Sequence, residues 1–277
     1  MDEVKSIGDI LREKTIIQTS SYDDLEIHIC LRCGQEIKPV KAVFERFGRV
    51  VYPICDCEAG ELDRAREEFW QRSKRQRIER LFSLSGLGPR FSECTFDNWI
   101  PRRGSEKAFD AVKAYLDRWP EQMKTGEGLV LLGTYGNGKS HLAAAVVNAL
   151  VSQEYAAVFQ PVTRLMYRVN ASYRDERGPS EAEIINGLID ADLLVLDDIG
   201  AEKWSEKVEE RLYAIIDGRY WGKKPTILTG NFLDLKSLEA HIGGRAFDRI
   251  AETCIFIENM ATSFRKERAR ARLRREA

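Results

Sequence analysis

No segment of the sequence approaches the roughly 20 consecutive apolar residues that cross a bilayer. The first residues, MDEVKSIGDILREK, lack the basic start and apolar run of a signal peptide. Both absences set the expectation of a cytoplasmic protein with no membrane partner. A charge excess is missing as well: 43 Lys and Arg stand against 44 Asp and Glu, a net charge of −1. Bulk electrostatics therefore do not mark a nucleic-acid binder, and any such contact has to come from local patches. There is no internal repeat and no low-complexity tract, which excludes solenoid architectures. What remains, 277 residues of which 43% are hydrophobic, is enough for one substantial core and a small accessory domain.

The cysteines are few and unevenly placed. Six in a reducing compartment argue against disulfides, and four of them cluster as Cys30-x2-Cys33 and Cys55-x-Cys57. Two close pairs of thiolates suit tetrahedral Zn²⁺. The competing readings are unliganded reduced cysteines, or His28 in place of one thiolate. Zinc would fold a unit too small to be held by its own core. Cys94 and Cys254 read as core or loop residues. The cysteine-bearing stretch, Glu26 to Cys57, is β-rich, and a charged helix over 58–82 follows it, with Arg72, Lys74, Arg75, Arg77 and Arg80. SLSGLGPRF then interrupts the helix. The expected domains are 1–82, a linker over 83–91, and 92–277. Near the start, Val4, Ile7, Ile10 and Leu11 have the spacing of a short amphipathic helix, docked on its own domain or on a partner.

Beyond the linker, a helix is expected over 105–119, followed by alternating strands and helices. The strands are read at 129–133, 157–162, 193–197, 226–230 and 254–258. This order predicts an α/β fold, a mostly parallel sheet between layers of helices. GLVLLG runs into Gly133-Thr134-Tyr135-Gly136-Asn137-Gly138-Lys139-Ser140 and then into a helix opening at His141. That is the strand, loop and helix context of a P-loop. Glycine lets the backbone curl so that successive N–H groups meet phosphate oxygens at a helix N-terminus. Lys139 is assigned to the β- and γ-phosphates and Ser140 to Mg²⁺. The strand ADLLVLDDIG ends in Asp197 and Asp198, where buried acids need a cation or water. Asp197 is assigned to Mg²⁺ and Asp198 to the attacking water. PTILTGN ends in Asn231, placed to position that water.

These motifs together resemble the DnaC/DnaI/IstB family of AAA+ ATPases, which includes bacterial helicase loaders. GNGKSHLAAA, DLLVLDDIG, ERLYAIIDGRY, KPTILTGN, GGRAFDRI and SFR occur in the family's order over about residues 92–266. The resemblance implies a parallel five-stranded sheet and ATP bound at a seam between subunits, and the departure at Asp198, one methylene shorter than the family's Glu, sets the expectation of slow hydrolysis. It assigns Arg249 as a finger reaching a neighbour's γ-phosphate, with Arg245 one turn away as the alternative. Arg265 would read the γ-phosphate within the same subunit. Two departures stand out: Gly230 precedes Asn231 where the family commonly has Thr or Ser, and Asp198 replaces the usual Glu. Similar loaders carry an N-terminal zinc domain that docks on a hexameric replicative helicase, which makes that helicase the expected partner. An IstB-like transposition helper acting on duplex DNA is the alternative.

Two basic stretches bear on nucleic acid. Arg265, Lys266, Arg268, Arg270, Arg272, Arg274 and Arg275 form a C-terminal run, read as phosphate contacts or as a solvated tail. Arg164, Tyr167, Arg168, Tyr173 and Arg174 mix cations with rings that could stack on single-stranded DNA.

Overall fold

The structure, a computed structural model, describes residues 27–44, 47–174 and 177–273. The expected helix at 3–14 and the last two arginines of the C-terminal run lie outside them. The chain divides into two compact units between Arg75 and Gln76.

In the first unit β1 (His28–Ile29) pairs with β2 (Glu36–Ile37), and β3 (Val40–Phe44) with β4 (Phe47–Val51), both antiparallel. The turn between β1 and β2 passes through Gly34 at φ +74, a left-handed conformation that glycine adopts at no steric cost. Helix α1 (Asp56–Leu84) begins inside the second cysteine pair, with Asp56 and Glu58 in its first turn, where acids complement the helix dipole. Cys55 and Cys57 thus flank a helix start and do not lie on a strand.

The division falls earlier than the Gly/Pro break because the last turns of α1 are committed to the second unit. Leu81 and Leu84 are buried in its core, and Arg77 donates to Asp190 O at 2.6 Å and Asp192 Oδ1 at 2.9 Å. Residues of the expected linker are held there too. Gly86 N donates to Phe159 O at 2.7 Å and Phe159 N to Ser85 Oγ at 3.2 Å, which covers an edge strand.

The second unit continues with α2 (Pro89–Ser92), α3 (Glu106–Asp117), α4 (Trp119–Thr125), β5 (Gly128–Gly133), α5 (Lys139–Ser152), β6 (Ala157–Pro161), α6 (Val162–Ser172) and α7 (Glu181–Asp190). Then come β7 (Leu193–Ile199), α8 (Glu206–Trp221), β8 (Thr226–Gly230), α9 (Leu235–Ile242), α10 (Gly244–Thr253), β9 (Cys254–Asn259) and α11 (Phe264–Leu273). The helix expected at 105–119 is α3, and α4 follows it from Trp119 with Pro in its first turn.

β5 to β9 form one five-stranded sheet in the order β6-β7-β8-β5-β9, with every pairing parallel. Its strands are near-continuous apolar runs because both faces are covered. Val130, Leu132, Val158, Leu194, Leu196 and Leu228 pack on one side, with α6 to α10. Leu129, Leu131, Phe159, Leu193, Val195 and Ile227 pack on the other, with α3 to α5. Alternation with period two thus divides the core into two layers. The helices start on local signals: Ser180 and Glu183 make a reciprocal capping box on α7, and Ser205 and Asp234 cap α8 and α9.

This strand order inserts β5 between β8 and β9, so the connections that leave the adjacent strands β5 and β8 run in opposite directions across the sheet. In such sheets ligands bind beyond the carboxyl ends of the strands at the switch point. The carboxyl ends of β5, β7 and β8 carry the Gly133 loop, the Asp pair and Asn231 respectively. Among the described residues no helix is long and apolar enough to cross a membrane.

Candidate functional site

The loop after β5 reaches α5 through Gly133, Gly136 and Gly138, all at positive φ. Gly133 (φ +132) and Gly138 (φ +101) are required twice over. A Cβ on the first would lie 2.4 Å from Asn259 O, and on the second 2.4 Å from the Trp99 ring. Asn137 is buried. Its Nδ2 donates to Asn259 O at 2.6 Å, and Asn259 Nδ2 donates back to Asn137 O at 3.0 Å, which fastens the loop to the end of β9. Thr134 and Tyr135 are exposed at the loop crest. His141 Nε2 lies 2.9 Å from Thr95 O, with its ring edge-on to Trp99.

Lys139 folds back over the loop. Its Nζ donates to Gly133 O and Thr134 O, both at 2.9 Å, to Asn137 Oδ1 at 3.1 Å and to Asn231 Oδ1 at 3.0 Å. Burial pulls its pKa down to about 8, against the opposing pull of Asp198 and Asp197.

The two acids of β7 reach the same place by different means. Asp197 is buried and accepts a hydrogen bond from Thr229 Oγ1 at 2.6 Å. Burial pushes its carboxyl above the usual carboxylate range, against the hydrogen bonds of Thr229 and Ser140. Side chains of consecutive strand residues point to opposite faces. The β7–β8 register, however, shifts between Leu196 and Ile199, and Asp198 takes φ +59. This bulge re-aims its carboxylate, which accepts from Asn231 Nδ2 at 2.5 Å. Thr229 Oγ1 also accepts from Asp198 N at 2.9 Å, so one hydroxyl holds both acids. Sequence reasoning missed Thr229; its signal was a hydroxyl two residues before Asn231 on a neighbouring strand. Gly230, the departure from the family pattern, lies under Phe232, whose ring a Cβ would meet at 2.6 Å.

The cleft has a volume of about 410 Å³ and brings together Gly136 to His141, Asp198, Thr229, Asn231 and Arg265. Arg90, Trp99, Arg102, Phe264 and Arg268 also line it. Phe264 belongs to the SFR motif and Arg268 to the C-terminal basic run, whereas Arg90, Trp99 and Arg102 carried no motif and only folding could have revealed them. Arg249 lines a different cavity, of about 270 Å³, with Trp221, Lys223 and Lys224. Its Nε donates to Asp217 Oδ1 at 3.1 Å, and its guanidinium lies 4.4 Å from the centre of the Tyr220 ring. Arg245, one turn earlier on α10, is exposed.

The four clustered cysteines come together, with all Sγ atoms within 4.8 Å of one another. Cys33 and Cys55 are 3.3 Å apart, Cys55 and Cys57 3.5 Å, and Cys30 and Cys57 3.6 Å. A tetrahedral ion with metal–sulfur bonds of about 2.3 Å has sulfurs about 3.8 Å apart, so the cluster fits zinc. His28 stacks on Tyr52 and is not part of the group. The basic and aromatic residues of α6 are largely engaged within their own unit. Arg164 donates to Gly86 O and Arg168 to Ser83 O, while Tyr173 meets Glu181 and Arg211. Tyr167 is 79% exposed.

Relatives agree with this architecture. The chain is 28% identical over 185 residues, 66% of its length and 74% of the other's, to the replicative helicase loader DnaC of Buchnera aphidicola subsp. Baizongia pistaciae. The crystal structure of the DnaC helicase loader superposes with a TM-score of 0.56 at 23% identity, over 62% of this chain and 99% of that one. The crystal structure of DnaI does so with a TM-score of 0.54 at 25% identity, over 63% and 95%. The sequence pattern of the family described as IstB-like ATP binding protein matches residues 116–272. With more than half of its length inside that pattern and the P-loop sheet to match, the chain belongs to the IstB-like ATP binding protein family.

Proposed function

We propose that this protein is an ATP-dependent loader of the replicative DNA helicase. The observation that carries the ATPase reading is the Lys139–Asn231–Asp198 chain of hydrogen bonds at the ends of three strands. It sets a cation, an amide and a carboxylate around one point. Lys139 exchanges its loop carbonyls for the β- and γ-phosphates, and the loop N–H groups of Gly136 to Ser140 receive the remaining oxygens. Ser140 and Asp197 would hold Mg²⁺, which supplies charge neutralisation on the phosphates. Asp198 takes the proton of the attacking water that Asn231 orients, and Arg265 senses the γ-phosphate from within the subunit. Arg249 lies outside the cleft of its own subunit, which supports its service to a neighbour's.

The loader reading draws on the DnaC relatives and on the Cys30/Cys33/Cys55/Cys57 module as a zinc-folded helicase-docking unit. Single-stranded DNA is the nucleic-acid partner, self-association through the ATP site completes the machine, and the work is done in the cytoplasm. The transposition-helper reading takes its support from the family match over 116–272. Pull-down of a hexameric replicative helicase by the full chain tests the two. A stable complex supports loading. No complex with such a helicase, combined with ATP-dependent filaments on duplex DNA, sinks it in favour of the helper.

A further inference from the structure

Arg102 spends its guanidinium on backbone. Nη2 donates to Asn137 O at 2.6 Å, while Nη1 donates to Thr262 O at 2.5 Å and lies 3.5 Å from Gly136 O. Two of these carbonyls belong to the phosphate loop. The third lies just before α11, the helix that carries Arg265. The guanidinium also sits between two rings, 5.7 Å from the centre of Trp99 and 5.5 Å from that of Phe264, the first residue of α11.

The junction leaves little slack. Phe264 N donates to Gly136 O at 2.9 Å. A Cβ on Gly136 would lie 2.4 Å from Ser263 Oγ, and one on Gly138 3.1 Å from Arg102 Nη2. Arg102 is itself anchored: its N–H donates to Ser105 Oγ at 3.0 Å and its carbonyl accepts from the same hydroxyl at 2.7 Å. A planar fork can hold several carbonyls in fixed relative positions, whereas an ammonium is a point charge. A cation on the carbonyl side of a peptide also strengthens its N–H as a donor.

We propose that Arg102 is a positioning residue that couples the phosphate loop to the Arg265 helix, so that the loop's shape around phosphate decides where Arg265 stands. This rests on the nucleotide reading of Gly133–Ser140. The coupling makes the γ-phosphate legible to α11, whose later turns carry Arg268, Arg270 and Arg272.

The test is the ratio of MgADP to MgATP dissociation constants, measured with fluorescent nucleotides on the full chain. Wild type is compared with K139A, R265A, R102M, R102K and the double variant R102M/R265A. R265A should lower the ratio about tenfold, the scale of one charge-assisted hydrogen bond. R102M and R102K should lower it similarly while still binding MgADP, and the double variant should fall no further than R265A alone. A purely structural role would weaken both nucleotides alike and leave the ratio untouched. R102K, which keeps charge and stem, decides the matter if R102M does not fold. A wild-type ratio in R102K, additive losses in the double variant, or a ratio indifferent to R265A overturns the coupling. Undiminished MgATP binding by K139A would instead overturn the nucleotide site itself.

Discussion

Asp198 and Asn231 are joined at 2.5 Å only because β7 breaks its register before it ends. A regular strand would send Asp197 and Asp198 to opposite faces of the sheet. The bulge and the left-handed backbone of Asp198 bring both acids beside the Thr229 hydroxyl, at a strain cost of about 1–3 kcal/mol. Such strain at a site built from Lys139, Thr229 and Asn231 supports the proposal that the second acid is the general base.

Replacing Asp198 with Ala should therefore separate binding from hydrolysis. Turnover is expected to fall by roughly 10²- to 10⁴-fold, the usual worth of a positioned base, with MgATP affinity changed by no more than a few-fold. Steady-state phosphate release alongside nucleotide titration checks this; unchanged turnover would remove Asp198 from the mechanism.

Thr229→Val keeps the shape of the side chain and deletes the hydroxyl that donates to Asp197 and accepts from Asp198 N. Leaving a buried carboxylate without its donor should cost about 1–3 kcal/mol of stability and raise the Mg²⁺ concentration needed for turnover. Thr229→Ser should restore both. Denaturant melts and Mg²⁺ titrations are the measurements.

Nucleotide affinity should depend on pH through Lys139. In the free protein burial lowers its pKa to about 8, while phosphates keep it charged when bound. Binding above pH 8 therefore takes up a proton, and MgATP affinity should drop roughly tenfold between pH 7 and pH 9. The same shift acts on stability with the opposite sense: the charged lysine penalises the free fold below about pH 8, and the penalty fades as pH rises from there toward the unfolded value of 10.5. Calorimetric titration at the two pH values should show the slope in wild type and not in Lys139→Met.

Arg249→Ala and Asp198→Ala should each be inactive alone and partly active when mixed. An arginine finger from one subunit and an intact cleft from another can then meet at a shared seam. Mixed-subunit turnover no higher than either variant alone would confine Arg249 to its pairing with Asp217.

Cys30→Ser should release the metal from the first unit. About one zinc per chain is expected in wild type and much less in the variant by elemental analysis. Nucleotide binding by the second unit should survive, while helicase capture is lost.

The P-loop, the acid pair and the positions of the five strands were legible because each is written in contiguous residues: an apolar run, a glycine loop, a helical run. The cysteine cluster was legible from spacing. Thr229 was not, since its role depends on which strand lies beside β7. Arg164 and Arg168 read as nucleic-acid contacts because cations beside rings look alike whether they bind phosphate or, as here, the carbonyls of residues 83 and 86. The unit boundary was read at the Gly/Pro break, yet burial of Leu81 and Leu84 draws the end of the preceding helix into the core of the second unit. A sequence does not show where a charged helix will find its apolar partner.

The sequence by itself determined the α/β class, the phosphate loop and the thiolate set, because these follow from local backbone preferences and from chemistry held within a few residues. Only the tertiary structure decided that one threonine would hold two acids, that Arg249 would stand apart from its own cleft, and that Arg102 would join the loop to α11. Those contacts link residues distant in the chain, and they exist only once a parallel sheet has set which strand ends meet.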